Sequence, residues 1–383
     1  MRIGIVSPYS ISVPGGVQEQ VLGLARALRS KGVAARVLAP TDGPPPDGWV
    51  TPLGSSLPTP ANGSVAPIAP DLSAQLRLIR AVRDEGFDVL HLHEPMVPGP
   101  CMTACLVKPA PLVGTFHAAG NHASYQLLNP AIRWLAGRLD VRATVSAEAE
   151  ALAVEQLGGS YERAFNGIEV ERFSTVEPWP TEGLTIFFLG RHEPRKGLDI
   201  LLDALPRLPS DVHIWVGGEG PDTERLKLRH AGDPRVQWLG RLSDMEKRRR
   251  LKAADVFCAP SLRGESFGVV LLEAMAGGAA IVAADLSGYR LVARPDHDGL
   301  LVPPGDAEAL GAALVRVLDD DSLRSRLVES GAARAQAFSM DSLADLYLDL
   351  YQRVSTPAPQ AKGWRPRRRA LGTVVRGPAR LAP

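Results

Sequence analysis

The feature that most constrains the fold of this chain is an alternation of short apolar runs with helical patterns that occurs twice. The first series begins with a strand-like run at 3–8 and ends with one at 112–116, and the second begins at 184–189 and ends at 279–283. Strands that alternate with helices form a parallel sheet covered by helices on both faces. A stretch with two prolines at 177–182 separates the series. The sequence therefore predicts an α/β protein of two doubly wound, Rossmann-like units that face each other across a cleft.

These patterns divide the chain into four parts. We expect a first unit at 1–172, a second at 182–338 and a helix at 339–356 that returns to the first unit, because apolar residues recur there at helical spacing. The segment 357–383 has five prolines and a basic run, so we expect a disordered basic tail. Attraction of this tail to an anionic membrane is the alternative to simple solvation.

Composition and charge argue against several classes of protein. At 383 residues the chain is long enough for two domains, and 45% hydrophobic with 22% charged residues is typical of a soluble globular protein. The net charge of +1 argues against a general nucleic-acid binder. Three cysteines without paired spacing, a start without a signal-peptide pattern and the lack of ~18 consecutive apolar residues predict a reduced, cytoplasmic setting. If a membrane is involved, we expect the protein to lie on its surface.

The segment 264–278, GESFGVVLLEAMAGG, carries two carboxylates eight positions apart, Glu265 and Glu273. A helix that opens at 266–268 would offer unpaired backbone N–H groups and a positive dipole end to phosphate oxygens. This spacing is roughly two helical turns, so both carboxylates would project to one side, near a sugar hydroxyl and a ribose. Flanking strands place the helix start where open parallel sheets bind ligands. An amphipathic helix with solvated glutamates is the alternative.

Cations and glycines at two other strand ends suit the same ligand. Arg191 and Lys196 follow the strand at 184–189, where a guanidinium can bind two phosphate oxygens and an ammonium acts as a point charge. Gly15 and Gly16 follow the first strand and would let the backbone turn tightly, so that a phosphate could approach it. An exposed basic loop and an ordinary strand-to-helix turn are the respective alternatives.

Two histidines also end predicted strands. His93 and His117 could each hydrogen-bond a sugar hydroxyl without a change of charge. We expect His91 and His93 to face opposite sides of their strand, which argues against a shared metal. The run of three aspartates at 319–321 superficially suits a divalent ion, but its place between two helices favours N-capping. We therefore expect no metal site.

Together, these motifs and their order resemble the retaining glycosyltransferases of family 4, which have the GT-B architecture. The resemblance covers roughly residues 1–354, and within the family it is greatest to the actinobacterial mannosyltransferases that use GDP-mannose and a phosphatidyl-myo-inositol acceptor. The motifs that carry it are PYSISVPGGVQ, NGSVA, FDVLHLHEP, TFH, FNGIEVERF, FLGRHEPRKG, ADVFCAP, GESFGVVLLEAMAGG and HDGLLVPPGD.

The resemblance implies a nucleotide-sugar site in the second unit, with cations on the diphosphate, one glutamate on the sugar hydroxyls and the other on the ribose. It also implies a reaction that needs no metal, no cofactor and no covalent nucleophile, so that catalysis is mostly positioning and charge stabilisation. The catalytic residues that it implies are His117, Arg191, Lys196 and Glu265. The contacts that it implies for the donor, GDP-mannose, are Gly16, Arg191, Lys196, Glu265, Phe267, Gly268, Val269 and Glu273.

The acceptor side follows the family pattern less closely. The acceptor contacts that the resemblance implies are Tyr9, Gln18, Asn62, Gly63 and Ser64. Three positions depart from the pattern, with Met96, Pro67 and Tyr125 where more polar or smaller residues are expected. A different acceptor, or a donor such as UDP-glucose or UDP-N-acetylglucosamine, is therefore an alternative. A nucleotide-sugar-binding protein without turnover is another, and a nicotinamide-dependent oxidoreductase is disfavoured because no G-x-G-x-x-G follows the first strand.

The helix predicted at 71–85 carries three arginines beside three aliphatic residues, as a helix at a membrane surface would. These are Arg77, Arg80 and Arg83, and Leu72, Leu76 and Ile79. An ordinary surface helix is the alternative. The expected partners are a nucleotide sugar, a phospholipid or other hydroxyl acceptor and an anionic membrane surface, but not nucleic acid. The expected location is cytoplasmic, on the inner face of the plasma membrane.

Overall fold

The computed structural model describes residues 1–61, 64–117 and 129–355, and its first half is built on a parallel sheet. The strands of this half are β1 Arg2–Val6, β2 Ala34–Ala39, β3 Val50–Pro52, β4 Leu57–Ala61, β5 Ser64–Ile68, β6 Val89–His93, β7 Leu112–Phe116, β8 Val141–Thr144 and β9 Glu162–Arg163. The sheet has the order β3-β2-β1-β6-β7-β8-β9, and every pair in it is parallel. β4 and β5 form a separate antiparallel pair.

Helices cover this sheet, and side-chain caps define where several of them begin. The helices are α1 Gly16–Ser30, α2 Leu72–Glu85, α3 Pro100–Val107, α4 Asn129–Ala136 and α5 Ala147–Leu157. The short helix that follows, α6 Glu171–Ser174, packs against the second half, where its Phe173 is buried. Asp71 accepts a hydrogen bond from the Ala74 N–H at 3.0 Å at the start of α2, and Ser146 accepts one from Ala149 at 3.0 Å at the start of α5. These caps satisfy backbone donors that a helix start leaves unpaired.

The second half repeats the same construction. Its strands are β10 Thr185–Leu189, β11 His213–Gly217, β12 Val236–Gly240, β13 Val256–Ala259, β14 Ala280–Ala284 and β15 Leu300–Val302, in the parallel order β12-β11-β10-β13-β14-β15. Its helices are α7 Leu198–Asp203, α8 Thr223–Arg229, α9 Asp244–Ala253, α10 Val269–Gly277, α11 Ser287–Arg290, α12 Ala307–Asp319 and α13 Asp321–Ala337. A last helix, α14 Met340–Ser355, follows them in the chain. In each sheet, the strand that comes first in the chain, β1 or β10, has the next strands on one side of it and the later strands on the other. This is the doubly wound pattern. The predicted α/β class is confirmed.

The cores explain why the strands could be recognised as continuous apolar runs. Helices on both faces bury the central strands completely, as in β14, where every residue is buried and apolar. A strand that is buried on both faces carries apolar residues at successive positions rather than at alternate ones. Each sheet therefore has a core on either side.

The chain crosses between the two halves twice, and the two crossings are hydrogen-bonded to each other. The Ile168 N–H donates to Phe338 O at 2.9 Å, and the Met340 N–H donates to Ile168 O at 2.8 Å. After the second crossing, α14 packs on α1, and Tyr347 and Tyr351 are fully buried in the first half. The last described helix of the chain thus belongs to the core of the first sheet.

Two sequence features are explained by these elements. Asp320 caps α13 by accepting a hydrogen bond from the Leu323 N–H at 2.9 Å, which confirms the N-capping interpretation of the aspartate run. Within the described residues, no helix is both long and apolar enough to cross a membrane. The predicted tail at 357–383 lies outside the described residues.

Candidate functional site

Two loops meet at the carboxyl ends of the neighbouring strands β10 and β13. The loop after β10 contains a short 3₁₀ turn, Pro194–Lys196, followed by Gly197 with a φ of 67°. A Cβ atom at Gly197 would lie 2.0 Å from the carbonyl oxygen of Pro260, the residue that follows β13. Only glycine tolerates both this positive φ and this approach. The contact holds the two loops together backbone to backbone.

Glu265 is the centre of the charged cluster that these loops form. Its carboxylate lies 2.6 Å from Nζ of Lys196 and 3.6 Å from Nη1 of Arg195, and it accepts a hydrogen bond from Ser261 Oγ at 3.1 Å. The Glu265 side chain is only 11% exposed. A largely buried carboxylate requires such partners. The structure thus brings together Glu265 and Lys196, two of the predicted site residues.

The helix after Glu265 begins later than the sequence pattern predicts. Gly268, with a φ of 83°, is the N-cap, and α10 begins at Val269, so Glu265 lies in the loop before it. The expectation that Glu265 and Glu273 project from one helix, two turns apart, is therefore wrong. The backbone donors of the first turn that lack helical acceptors belong to Val269 and Val270, since Leu271 already bonds to Gly268 O at 2.9 Å.

Close packing fixes the loop that carries Glu265. A Cβ atom at Gly288, in α11, would lie 1.8 Å from the carbonyl oxygen of Glu265, and one at Gly268 would lie 2.8 Å from the ring of Tyr289. Phe267 is buried and meets the ring of Phe338 edge-on at 5.7 Å. The side chain of Phe267 is therefore part of the core, and only its backbone is available to a ligand.

Arg191 stands apart from this cluster. Its side chain is 52% exposed, and its nearest charged partner is Glu193, at 3.7 Å. The same Glu193 is bound more closely by Arg195, at 2.7 Å. Arg191 is thus weakly held at the surface of the loop, where it has room to turn toward a ligand.

Glu273 lies deeper and has a partner that sequence reasoning missed. Its carboxylate is 2.8 Å from Nζ of Lys247, on α9, and both side chains are largely buried. Burial alone would lower the pKa of Lys247, but the carboxylates of Glu273 and of Glu19 on α1 raise it above its ordinary value. Lys247 lies in a run of cations, EKRRR, which in sequence is indistinguishable from a solvated helix face.

Residues of both halves line a small, partly open cavity beside this pair. Glu19 and Gln20 line it from α1, and Lys247, Val269 and Glu273 line it from the second half. The two halves therefore approach each other closely at Glu273.

The glycine pair before α1 does not form the tight turn that the sequence predicts. Gly15 has an extended backbone, with a φ of −177°, and Gly16 is the first residue of α1 and has no positive φ. A Cβ atom at Gly16 would meet no atom within 4 Å. Gly16 therefore faces open space at the start of a helix. Its backbone conformation does not require a glycine.

The histidines of β6 lie on the same side of the strand, so the prediction of opposite sides is wrong. Residues two apart on a strand share a face. The ring centroids of His91 and His93 are 4.4 Å apart, and those of His93 and His117 are 5.0 Å apart and nearly parallel. His93 Nδ1 and His117 Nε2 are 2.8 Å apart, and His117 Nδ1 is 3.0 Å from Oδ1 of Asn166. Both ring nitrogens of His117 thus have protein partners.

Among the described residues, no group of three or more histidine, cysteine, aspartate or glutamate side chains is arranged to hold a metal ion. The three rings of His91, His93 and His117 form a histidine column, in which His93 and His117 are stacked and share one direct nitrogen-to-nitrogen hydrogen bond, while His91 is tilted by 33° to His93. His91 also has both of its ring nitrogens engaged, with Tyr351 Oη at 2.7 Å and Thr115 Oγ1 at 2.7 Å. Both ring nitrogens of His91 and of His117 therefore form hydrogen bonds within the protein, so these rings are not arranged as metal ligands.

The residues expected on the acceptor side are only partly described. Tyr9 is partly buried and its backbone bridges to Ile68, and Gln18 is buried with Nε2 3.4 Å from Ser10 O. Met96 is buried in the core between the first sheet and its helices. Pro67 pairs with β4, and its carbonyl oxygen accepts from the Ser10 N–H at 2.8 Å. Ser64 begins β5, while Asn62, Gly63 and Tyr125 lie outside the described residues.

Two family models match the chain. The model described as Glycosyltransferase Family 4 matches residues 14–172, and the model described as Glycosyl transferases group 1 matches residues 169–334. The two matches meet where the chain first crosses between the halves. Together they span most of both parallel sheets.

Curated relatives match over nearly the whole chain. A phosphatidyl-myo-inositol mannosyltransferase of Mycobacterium leprae is 40% identical over 369 residues, which covers 93% of this chain and 98% of the relative. The protein of the same name from Mycolicibacterium smegmatis is 38% identical, with 93% and 94% covered. The one from Propionibacterium freudenreichii is 33% identical, with 92% and 94% covered.

Solved structures share the fold. HepE of Anabaena, in complex with UDP, superposes with a TM-score of 0.70 at 20% identity, covering 92% of this chain and 100% of that one. Sucrose-phosphate synthase from Thermosynechococcus elongatus has a TM-score of 0.70 at 19% identity, with 92% and 99% covered. At these identities the likeness shows the fold alone, and it confirms the predicted GT-B architecture.

We expect the protein to lose stability in mild acid, because its buried histidines are neutral in the native state. Burial lowers the pKa of His91 to about 3 and that of His117 to about 4. In the unfolded chain a histidine has a pKa of about 6.5. Below this value the unfolded chain binds more protons than the native one, so the free energy of unfolding falls by roughly 1.4 kcal/mol per pH unit for each such histidine. This stabilisation is complete above about pH 6.5 and is lost progressively toward pH 4.

Urea unfolding at pH 7.5, 6.5 and 5.5 would measure this dependence. A His91→Gln variant, which removes one titrating ring, should show a shallower slope between pH 6.5 and 5.5 than the parent. Equal slopes in the two proteins would contradict the assignment of His91 as a neutral buried group.

Proposed function

The chain belongs to glycosyltransferase family 4, and from this premise we propose that it transfers mannose from GDP-mannose to a phosphatidyl-myo-inositol-type acceptor, with retention of configuration. It is a glycosyltransferase, which sets aside the alternatives of a non-catalytic binding protein and of an oxidoreductase. The observation that carries the proposal is the 33–40% identity, over more than 90% of the chain, to relatives named phosphatidyl-myo-inositol mannosyltransferase.

The charged cluster supports the donor half of the proposal. Lys196 and the first turn of α10 stand at the same edge of the second sheet, and each favours a phosphate, one by charge and the other by unpaired N–H groups. Arg191, which is weakly held, can add a second cation. Glu265, once shared between Lys196 and a sugar hydroxyl, would orient the sugar. The leaving diphosphate is then stabilised where its charge develops.

The ribose would bind at Glu273, whose carboxylate now lies 2.8 Å from Nζ of Lys247 with Glu19 beside the pair. A ribose there would have to replace these contacts. Opening would withdraw Glu19 from Lys247 and Glu273, and closure over the donor would bring Gly16 toward the diphosphate and exclude water. The open space in front of Gly16 is consistent with such an approach.

The transfer itself would use no covalent enzyme intermediate. The acceptor hydroxyl oxygen bonds to the sugar carbon on the face that the diphosphate leaves, the bond from carbon to diphosphate oxygen breaks, and the hydroxyl proton passes to the departing diphosphate. The side chains of Arg191, Lys196 and Glu265 act by position and charge, and no metal or other cofactor is required. His117, at the end of β7, would contact the transferred sugar from the first half.

A related enzyme with another acceptor, and with either the same or another donor, is the second candidate, and Met96 favours the change of acceptor. The buried Met96 offers no polar contact where the family pattern has a polar residue. A related enzyme with UDP-glucose or UDP-N-acetylglucosamine and another hydroxyl acceptor would have the same fold and the same charged cluster. The nucleotide base and the acceptor must therefore be tested directly.

A membrane-facing surface on α2 would bring the enzyme to a lipid acceptor on the inner face of the plasma membrane. Leu72, Leu76 and Ile79 are 68%, 57% and 37% exposed and lie on one stripe of the helix. Arg80 and Arg83 beside them are exposed as well. An exposed apolar stripe bordered by arginines suits an anionic lipid surface.

The nucleotide and the product would be identified by two measurements. GDP should raise the melting temperature of the protein more than UDP or ADP does at equal concentration, because a ligand of the native state stabilises by mass action. Purified protein with labelled GDP-mannose and phosphatidylinositol should then form labelled mannolipid. A larger shift with UDP, or GDP binding without labelled lipid, would favour the second candidate.

Two substitutions should separate binding from turnover. Glu273→Gln should weaken GDP-mannose binding about tenfold or more, because a hydrogen bond donated to a charged acceptor is worth roughly 1.5–3 kcal/mol. Lys196→Ala should chiefly lower kcat, by roughly 10²-fold, since it removes charge compensation for the leaving group. Kinetics with varied donor and calorimetric titration with GDP would measure both.

Matched controls lie on α8, where Lys227 and Glu224 form a surface ion pair at 3.4 Å. Lys227→Ala and Glu224→Gln should leave both constants unchanged. Unaltered kinetics in Glu273→Gln and Lys196→Ala would remove the donor assignment.

Replacing two leucines of α2 should weaken membrane binding. The double variant Leu72→Ser, Leu76→Ser removes apolar side chains worth roughly 1.5–3 kcal/mol each when buried, so binding to phosphatidylcholine vesicles containing phosphatidylinositol should fall at least about tenfold. Vesicle sedimentation would measure it. The control is Leu228→Ser on α8, where Leu228 is 79% exposed. Equal binding by all three proteins would show that α2 is an ordinary surface helix.

A further inference from the structure

A hydrogen-bonded pair of imidazoles stands at the carboxyl edge of the first sheet. His93 is the last residue of β6, and His117 follows the last residue of the neighbouring strand β7. Their rings are stacked, 15° from parallel, and Nδ1 of His93 is 2.8 Å from Nε2 of His117. A neutral imidazole has one N–H donor and one acceptor nitrogen, so each contact determines where a proton must be.

The proton positions follow from Asn166. Its Oδ1 is an acceptor and lies 3.0 Å from Nδ1 of His117, so this Nδ1 carries the proton. Nε2 of His117 is then an acceptor, and Nδ1 of His93 must donate to it. The pair thus forms a directed chain in which His93 donates to His117 and His117 donates to Asn166.

The other nitrogen of His93 is left as a buried acceptor. Nε2 of His93 has no hydrogen-bond partner among residues 1–61, 64–117 and 129–355, and His93 is 2% exposed. An unpaired buried polar atom disfavours folding. Burial also lowers the pKa of His93 well below its ordinary value, so the ring stays neutral. A leucine could be buried at this position without leaving a nitrogen unpaired. The presence of a histidine therefore indicates that its Nδ1 donor has a function.

The backbone of His117 is held as firmly as its ring. The His117 N–H donates to Oε1 of Glu94 at 2.7 Å. Glu94 is 2% exposed and has a φ of 48°, a conformation that few residues other than glycine adopt. Strained backbone of this kind clusters at functional sites. Consecutive residues, His93 and Glu94, therefore fix His117 at its ring and at its main chain.

We propose that His93 is a positioning residue: by donating a hydrogen bond from Nδ1 to Nε2 of His117, it holds His117, together with Asn166, in the Nδ1–H tautomer, so that His117 meets the transferred sugar as a hydrogen-bond donor. The link to the sugar rests on the proposed function, while the tautomer does not. A hydroxyl oxygen of the sugar would take the Nδ1 proton now given to Asn166, or share it. In the opposite tautomer Nδ1 would instead accept from a hydroxyl, with a different orientation of the sugar.

Nitrogen-15 NMR of the free protein would test the tautomer without any assay of activity. The chain has eight histidines, so the resonances of His117 can be assigned by comparison with a His117→Gln variant. We expect a protonated Nδ1 and an unprotonated Nε2 for His117 at pH 7.5. In His93→Leu, which cannot donate, a substantial fraction of His117 should carry the proton on Nε2. A parent protein with the proton on Nε2, or an unchanged tautomer in His93→Leu, would overturn the proposal.

Kinetics with the conservative variant His93→Asn would separate positioning from a structural effect. The side-chain amide that this substitution introduces can place an N–H near the position of Nδ1, so the variant should keep the tautomer of His117 and most of kcat. His93→Leu should lower kcat at least about tenfold, a loss typical of residues that orient a functional group, with less change in the dissociation constant of GDP.

The control for stability is His91→Asn, because the ring nitrogens of His91 bond to Tyr351 and Thr115 rather than to His117. It should lower the melting temperature but leave the tautomer of His117 unchanged. Equal kcat in His93→Leu and His93→Asn would count against positioning. If no variant, including the parent, transfers mannose, the proposed function fails, while the NMR result still decides the role of His93.

Discussion

The candidate site depends on two places where backbone packs against backbone. Gly197 lies against Pro260, and Gly288 lies against the carbonyl of Glu265, each so closely that a Cβ atom would come within 2.0 Å of a carbonyl oxygen. These contacts hold the loops after β10 and β13 in one arrangement through their backbones, without the help of charged side chains. The pair of Lys196 and Glu265, at 2.6 Å, can then form without ordering flexible loops, so the entropy cost of assembling the site is met by the fold.

The connection between the halves would allow one half to move relative to the other. The two chain crossings bond to each other through Ile168, and α14 is buried in the first half, so the halves are joined at one place rather than along the whole cleft. Away from that joint, contacts across the cleft include charged groups, such as Glu19 on α1 near Lys247 and Glu273. Charged contacts can be exchanged for those of a charged ligand at little cost, whereas an apolar interface would have to be exposed to water. The distribution of contacts therefore suits a cleft that opens.

The sequence predicts the fold well because its signals are local. Apolar runs and helical periodicity identify the parallel strands, and the aspartate before α13 marks its start. The site was harder to predict where tertiary contacts, rather than the local sequence, determine the conformation or the partners of a residue. Gly268 adopts a positive φ against Tyr289, which delays α10 and moves Glu265 off the helix. Lys247 and Arg195 lie in basic stretches and acquire a role only through Glu273 and Glu265. The error over His91 and His93 was one of strand geometry, since residues two apart share a face.

The histidine column shows why neutral groups suit the first half of the cleft. A cation at His117 would sit close to two other imidazoles in a buried environment, where each charge opposes the next and hydration is lost. In the proposed function, the cations that would offset the charge of the diphosphate are Arg191 and Lys196, in the second half. An uncharged donor at His117 can orient a sugar hydroxyl without attracting the diphosphate away from these cations. Under this proposal, the second half would bind the charged diphosphate and the first half would fix the orientation of the uncharged sugar.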